Sequence, residues 1–168
     1  MTLSMYQVSA PRFTSMLNNL AVILRKAEEQ AAERKFDQAV LLGSRLYPDM
    51  LPLVRQVQIA CDNAKGPVAR LAGLEPPKHE DNEQTFADLQ ARIAKTLDFI
   101  ASVPADQIDG SEDREIQLKV GSRELRFTGI QYLFGFALPN FYFHVVTAYD
   151  ILRHSGIALG KRDYLGES

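Results

Sequence analysis

Apolar residues recur at intervals of three and four along most of the chain, a pattern that predicts amphipathic helices. We expect a first long helix over residues 9–34, with Pro11 in its first turn, where proline is well tolerated. The same spacing predicts a second long helix over residues 52–71 and a third over residues 85–103. Each carries one apolar stripe, so we expect the helices to pack with these stripes facing inward.

Polar residues with known capping roles mark several expected helix ends. Asp37 can cap a short helix that runs through Leu42. Thr85 and Asp88 have the spacing of a capping box at the start of the third long helix. Within the second long helix, Pro67 lacks an amide hydrogen and follows a glycine, which predicts a kink there.

A short stretch with a different period precedes the last helix. Residues 115–120 and 124–127 alternate between apolar and polar, and Gly121-Ser122 between them is a turn signal, which together predict a β-hairpin. Residues 129–154 then predict a helix that is apolar on all sides. Such a helix is either central in the fold or in contact with another subunit through one face. The hairpin must pack on the helices, because two strands alone are only marginally stable.

Composition narrows the class of protein. The chain has 168 residues, 46% of them hydrophobic, and its 19 basic and 21 acidic residues give a net charge of −2. This balance argues against binding to nucleic acid or to an anionic membrane, and no apolar run approaches the roughly 20 residues that span a bilayer. The single cysteine, Cys61, is typical of a reducing compartment, so we expect a cytoplasmic protein. The elements predict an all-α fold: a four-helix bundle with a small hairpin before the last helix, as one domain over residues 1–168.

Polar side chains on apolar stripes point to a candidate site. Asn140 and His144 lie one turn apart on the last helix, among aromatic neighbours. Gln58 and Asp62 are likewise four residues apart on the second long helix. Burying such groups without hydrogen bonds costs about 1–3 kcal/mol each, so their presence requires an explanation. If the two helices face each other, the four side chains converge in one pocket.

Three interpretations of this pocket are open. Bundles build metal sites from side chains on facing helices, and one imidazole with one carboxylate suits a transition metal, although amides are weak ligands. Alternatively, the four groups form a buried hydrogen-bond network in which His144 is neutral. A third possibility is a polar floor for a small organic ligand.

Other candidates are explained by ordinary structural roles. His154 falls in the last turn of the last helix, where a cation complements the helix dipole. His79 lies in a polar connection and is expected in solvent, whereas Cys61 is expected to be an inert buried thiol. Pro139 either bends the last helix near the pocket or marks the start of a new helix. The aromatic residues 141–143 indicate core or a dimer interface.

Three long stretches of the chain resemble a known family. They are LSMYQVSAPRFTSMLNNL near the start, LYPDMLPLVRQVQIACDNAKGPVARLAG in the centre and GFALPNFYFHVVTAYDILRHSGIALGKRDYLG near the end. Together they resemble an uncharacterised bacterial and fungal family within the DinB/YfiT-like metalloenzyme superfamily. The resemblance implies an up-and-down four-helix bundle that forms a homodimer.

The resemblance also implies where a metal would lie. DinB-like enzymes typically hold nickel or zinc with three histidines, one on the second helix and two, four residues apart, on the last. In this chain His144 matches the second histidine of the last helix, Asn140 stands at the first, and Gln58 stands at the histidine of the second helix. Two of the three ligands are therefore replaced by amides, which bind nickel and zinc far more weakly.

Two functions remain open on this basis. In the first, the protein is a bundle with a degenerate metal pocket that binds a small molecule, or keeps only a buried polar network, and holds no metal. In the second, it is a metal-dependent hydrolase, or a transferase resembling those that use small thiols, with nickel or zinc held by an altered set: His144, Asn140, Gln58 and Asp62.

Overall fold

The computed structural model describes residues 3–166 as a mainly helical protein with one antiparallel hairpin. The helices, in chain order, are α1 (Met5–Val8), α2 (Ala10–Glu33), α3 (Gln38–Leu42), α4 (Leu53–Leu71), α5 (Phe86–Ser102), α6 (Ala105–Ile108), α7 (Gly129–Tyr132), α8 (Leu138–His154) and α9 (Lys161–Leu165). A π-helical segment, Leu133–Ala137, joins α7 to α8. The strands are β1 (Glu115–Val120) and β2 (Arg123–Thr128).

The ends of the long helices agree closely with the apolar periodicity. Helices α2, α4 and α5 begin and end within one residue of the predicted bounds, and α4 continues through Pro67 to its end. Thr85 and Asp88 form the predicted capping box, and the Asp37 carboxylate accepts a hydrogen bond from the first turn of α3. Pro52 occupies the N-cap position of α4 without a side-chain hydrogen bond.

The hairpin packs on the helices through a buried residue of β1 and through Phe127 of β2, whose ring contacts those of Tyr132 and Phe136. Its strands pair from Glu115 opposite Thr128 to Val120 opposite Arg123, and Gly121 turns the chain with a φ of 61°. Ile116 is the buried residue of β1. The sequence analysis did not predict two short helices, α6 and α9, since four or five residues are too few to show a helical period.

The core lies between the long helices. Helix α4 packs against α5 and α8, and α2 packs against α4, α5 and α8. The rings of Phe13 and Phe141 meet edge to face in this core, with centroids 4.9 Å apart. No helix within residues 3–166 is long and apolar enough to cross a membrane.

The last helical stretch runs without a break from Gly129 to His154 but changes its winding at Leu133–Ala137. Pro139 lies in the first turn of α8 and donates no backbone hydrogen bond there. Next to it, the Asn140 side chain donates from Nδ2 to the Phe136 carbonyl at 2.6 Å. Asn140 therefore satisfies a carbonyl of the π-helical segment, which explains an amide at this position structurally.

Candidate functional site

His144 lies on α8 where that helix packs against α4. Its Nδ1 is 2.7 Å from Oε1 of Gln56, a residue of α4. The Nε2 group of Gln56 donates to the backbone carbonyl of Leu51 at 2.9 Å. Because a carbonyl only accepts hydrogen bonds, Leu51 fixes which end of the Gln56 amide faces the imidazole. The imidazole must therefore carry its proton on Nδ1 and donate it to Gln56.

The other ring nitrogen of His144, Nε2, can act as an acceptor. Burial lowers the pKa of His144 below its usual value, so the ring is neutral at pH 7 and Nε2 holds a lone pair. Within residues 3–166, Nε2 makes no hydrogen bond, and it is not among the buried unpartnered atoms. The arrangement provides one oriented acceptor that can receive a hydrogen bond or a proton, or act as a single metal ligand.

One apolar side chain, Phe143, flanks this imidazole at the surface. The ring of Phe143 meets the ring of His144 edge to face, with centroids 5.2 Å apart. Phe143 is 57% exposed, and Leu51, whose carbonyl orients Gln56, is 44% exposed. A ligand here would meet one polar atom beside apolar surface, which is the usual composition of small-molecule sites.

Gln58 and Asp62 lie in a different environment. Gln58 donates from Nε2 to Glu83 at 2.6 Å and accepts from Arg55 at 2.6 Å. The carboxylate of Asp62 accepts a hydrogen bond from Arg92 of α5 at 2.9 Å. Both side chains therefore face α5 and the connection that precedes it.

These contacts show that the four predicted side chains do not line one common pocket. His144 contacts Gln56, which the sequence analysis missed, rather than Gln58. Residues two positions apart on a helix point roughly 200° apart, so these two glutamines face opposite sides of α4. The Asn140 side chain donates a hydrogen bond to a carbonyl of its own helical stretch. The prediction that the four groups share one pocket is wrong in this respect, and a metal-binding role for them stays a prediction.

The side chains around His144 do not fit a metal held by three histidines. The donors supplied by α4 and α8 are one imidazole and two amides that already make hydrogen bonds, at Gln56 and Asn140. In the described part of the chain, no group of three or more His, Cys, Asp or Glu residues is placed to hold a metal ion. Such a donor set binds nickel or zinc weakly.

Arg92 is the centre of a buried ion network. Its side chain is 1% exposed and donates to Glu83 at 2.9 Å and to Asp62 at 2.9 Å. The same guanidinium contacts Asp81 at 3.0 Å and donates to the Glu80 carbonyl at 3.0 Å. It therefore fastens the connection before α5 to both α4 and α5.

The remaining candidates fall outside the His144 site. Cys61 is fully buried, and burial raises its pKa to about 12, so it is the inert thiol expected from the sequence. His154 lies exposed in the last turn of α8, as predicted. His79 is half-buried rather than in solvent, and its Nδ1 is buried without a hydrogen-bond partner among the described residues. The polar sequence around His79 predicted that its side chain lies in solvent. Arg92 instead binds the Glu80 carbonyl and holds this connection against the helices.

The fold is that of a DinB-like helical protein. A solved structure of a DinB family member from Shewanella denitrificans is 43% identical, covers 97% of this chain and 92% of its own, and superposes with a TM-score of 0.87. The family described as Domain of unknown function (DUF1993) matches residues 5–165, and the chain belongs to that family. A search of the curated proteins found no match.

Proposed function

We propose that this protein is a cytoplasmic DinB-like four-helix bundle, with α2, α4, α5 and α8 as its four helices, that binds a small molecule at His144. The observation that carries the proposal is the hydrogen-bond chain from Leu51 through Gln56 to His144. It leaves a neutral imidazole with an oriented Nε2 acceptor at an apolar surface. The class of ligand that fits is a molecule with a hydrogen-bond donor beside an apolar body that covers Phe143.

The test is a fragment screen by NMR that follows the imidazole signals of His144 in protein purified without a histidine tag. We expect saturable ligands that shift these signals and lose binding in H144A. H154A is the matched control, because it removes an exposed histidine from the same helix. A screen in which every ligand binds H144A as well as the unaltered protein would contradict the proposal and leave only a structural polar contact.

The second candidate is a metal-dependent transferase or hydrolase with an altered ligand set. It is favoured by the lone pair on Nε2 of His144 and by the likeness to a DinB family member. Elemental analysis of the same untagged protein separates the two functions. Stoichiometric nickel or zinc that disappears in H144A would support the metal site of the second candidate and contradict the first.

We also propose that the protein forms a homodimer. On the last helical stretch Phe134 is 52% exposed and Val146 is also exposed. Apolar surface of this kind is typical of contacts between subunits. Light scattering should give twice the mass of one chain, and a single-chain mass at micromolar concentration would contradict this proposal.

A further inference from the structure

A second cleft lies on the α5 side of the molecule, away from His144. It has a volume of about 450 Å³ and lies between α5 and the connection that precedes it. Arg92 and Lys95 line it from the helix, and Lys78 and His79 line it from the connection. The cleft therefore gathers four nitrogen-bearing side chains from two segments.

Several of these nitrogens are not used within the described structure. Arg92 is 97% buried, since only 3% of it is exposed, and its Nε is a buried donor without a partner. The Nδ1 atom of His79 is likewise buried and unpartnered. Lys78 and Lys95 are exposed and make no hydrogen bond or ion pair within residues 3–166. Buried polar atoms without partners are rare in proteins, so two in one cleft require an explanation.

The acidic residues of the cleft are mostly occupied. Glu83 accepts hydrogen bonds from Arg92 and from α4, and Asp88 accepts the backbone amides at the start of α5. Glu80 is the lining carboxylate that has no side-chain partner among the described residues. The formal charges of the lining therefore balance, with three cations and three carboxylates, and the charged groups left without a partner among the described residues are two lysines and one carboxylate.

Nearby cations also act on the pKa of His79. Burial lowers the pKa of His79, and the nearby charges of Lys65, Lys95 and Arg92 lower it further, against the opposing effect of Asp62. The ring is therefore neutral at pH 7, and a negatively charged ligand would relieve the surrounding positive potential.

We infer that this cleft binds the oxyanion of a small molecule, a phosphate or a carboxylate, between Lys78, Lys95, His79 and the Nε group of Arg92. An oxyanion supplies several strong acceptors, and charge-assisted hydrogen bonds to lysine and arginine are the strong ones in proteins. This site is separate from His144, because it lies against α5 rather than between α4 and α8.

The experiment is an isothermal titration with inorganic phosphate and, in a second arm, with citrate, both at constant ionic strength. We expect saturable binding of at least one anion, and the arm that binds identifies the chemical source. K95A should weaken binding about tenfold through loss of one charge-assisted hydrogen bond. E80Q should tighten binding, because it removes the opposing carboxylate.

K119A on the hairpin is the matched control, since it removes one exposed lysine outside the cleft. NMR signals of the His79 ring report whether the anion enters the cleft. Absence of saturable binding in both arms would overturn the inference. Equal weakening by K95A and K119A, or no response of His79, would show attraction to overall charge and would also overturn it.

Discussion

At the scale of single residues, Gln56 gives His144 its chemical character. The amide holds the Nδ1 proton and so leaves Nε2 as the acceptor. We predict that Q56L releases the ring into a mixture of tautomers. Nitrogen chemical shifts of the imidazole at pH 8 measure this directly.

Q58L provides the matched control for this prediction. It removes a glutamine from the same helix, but from the side that faces Glu83. The tautomer of His144 should remain fixed in Q58L, although the protein loses stability. A change in Q58L equal to that in Q56L would contradict the assignment of Gln56 as the partner of His144.

The choice between these glutamines shows what the sequence can predict about the site. The sequence analysis raised a contact between the last helix and the second long helix only as a condition for a shared pocket, and α8 does pack against α4, with His144 at that contact. Spacing does not give the rotation of that helix about its axis, and two residues change the direction of a side chain by roughly 200°. Likewise, Asn140 could not be assigned from spacing, because its partner is a carbonyl of a π-helical segment.

At the scale of elements, the connection before α5 depends on Arg92. R92M would leave the carboxylate of Glu83, which is only 8% exposed, without its buried charge partner. We predict a loss of about 3–5 kcal/mol in the free energy of unfolding, measured with urea. The double variant R92M/E83Q should recover part of this loss, because the unpaired charge is gone.

An exposed pair serves as the comparison. Arg126 lies 3.8 Å from Glu115, and both side chains are more than half exposed. R126M should cost less than about 1 kcal/mol, since water screens such pairs. Similar losses in R92M and R126M would show that the buried network does not stabilise the fold.

The junction between the hairpin and the last helical stretch needs a glycine. A methyl group on Gly129 would lie 1.9 Å from the carbonyl oxygen of Ser111, and the nearby backbone is tied by a hydrogen bond from Ile130 to Glu112. We predict that G129A lowers the unfolding free energy by about 1–3 kcal/mol or more. G135A is the control, because a methyl group there would have no atom within 4 Å apart from its chain neighbours and the backbone of its own helix.

Long elements were predictable from sequence because each repeats its apolar stripe over several turns. The bounds of α2, α4 and α5 therefore differ from the prediction by at most one residue. Helices α6 and α9 are too short to carry a period, and the π-helical segment Leu133–Ala137 keeps the composition of an ordinary helix. These features depend on tertiary packing, which local patterns do not encode.

At the scale of the whole molecule, two histidines make stability depend on pH. The pKa values of His79 and His144 are both lowered in the folded state, chiefly by burial. The unfolded chain therefore binds these protons first, at its ordinary pKa of about 6.5. Their contribution is fully present above that pH and is lost as the pH falls through the folded values.

The aspartate carboxylates affect the free energy of unfolding in a more acidic pH range than the two histidines do. The pKa values of Asp81, Asp88 and Asp163 are lowered from 3.8, so their stabilising effect is lost only at more acidic pH.

The loss of unfolding free energy between pH 8 and pH 5 should therefore be smaller in H144Q and in H79Q than in the unaltered protein. H154Q retains both half-buried rings and is the matched control. If urea titrations gave the same pH slope in H144Q, H79Q and H154Q, burial of the two rings could not be the cause of the slope, and the neutral state assigned to His144 would lose its thermodynamic support.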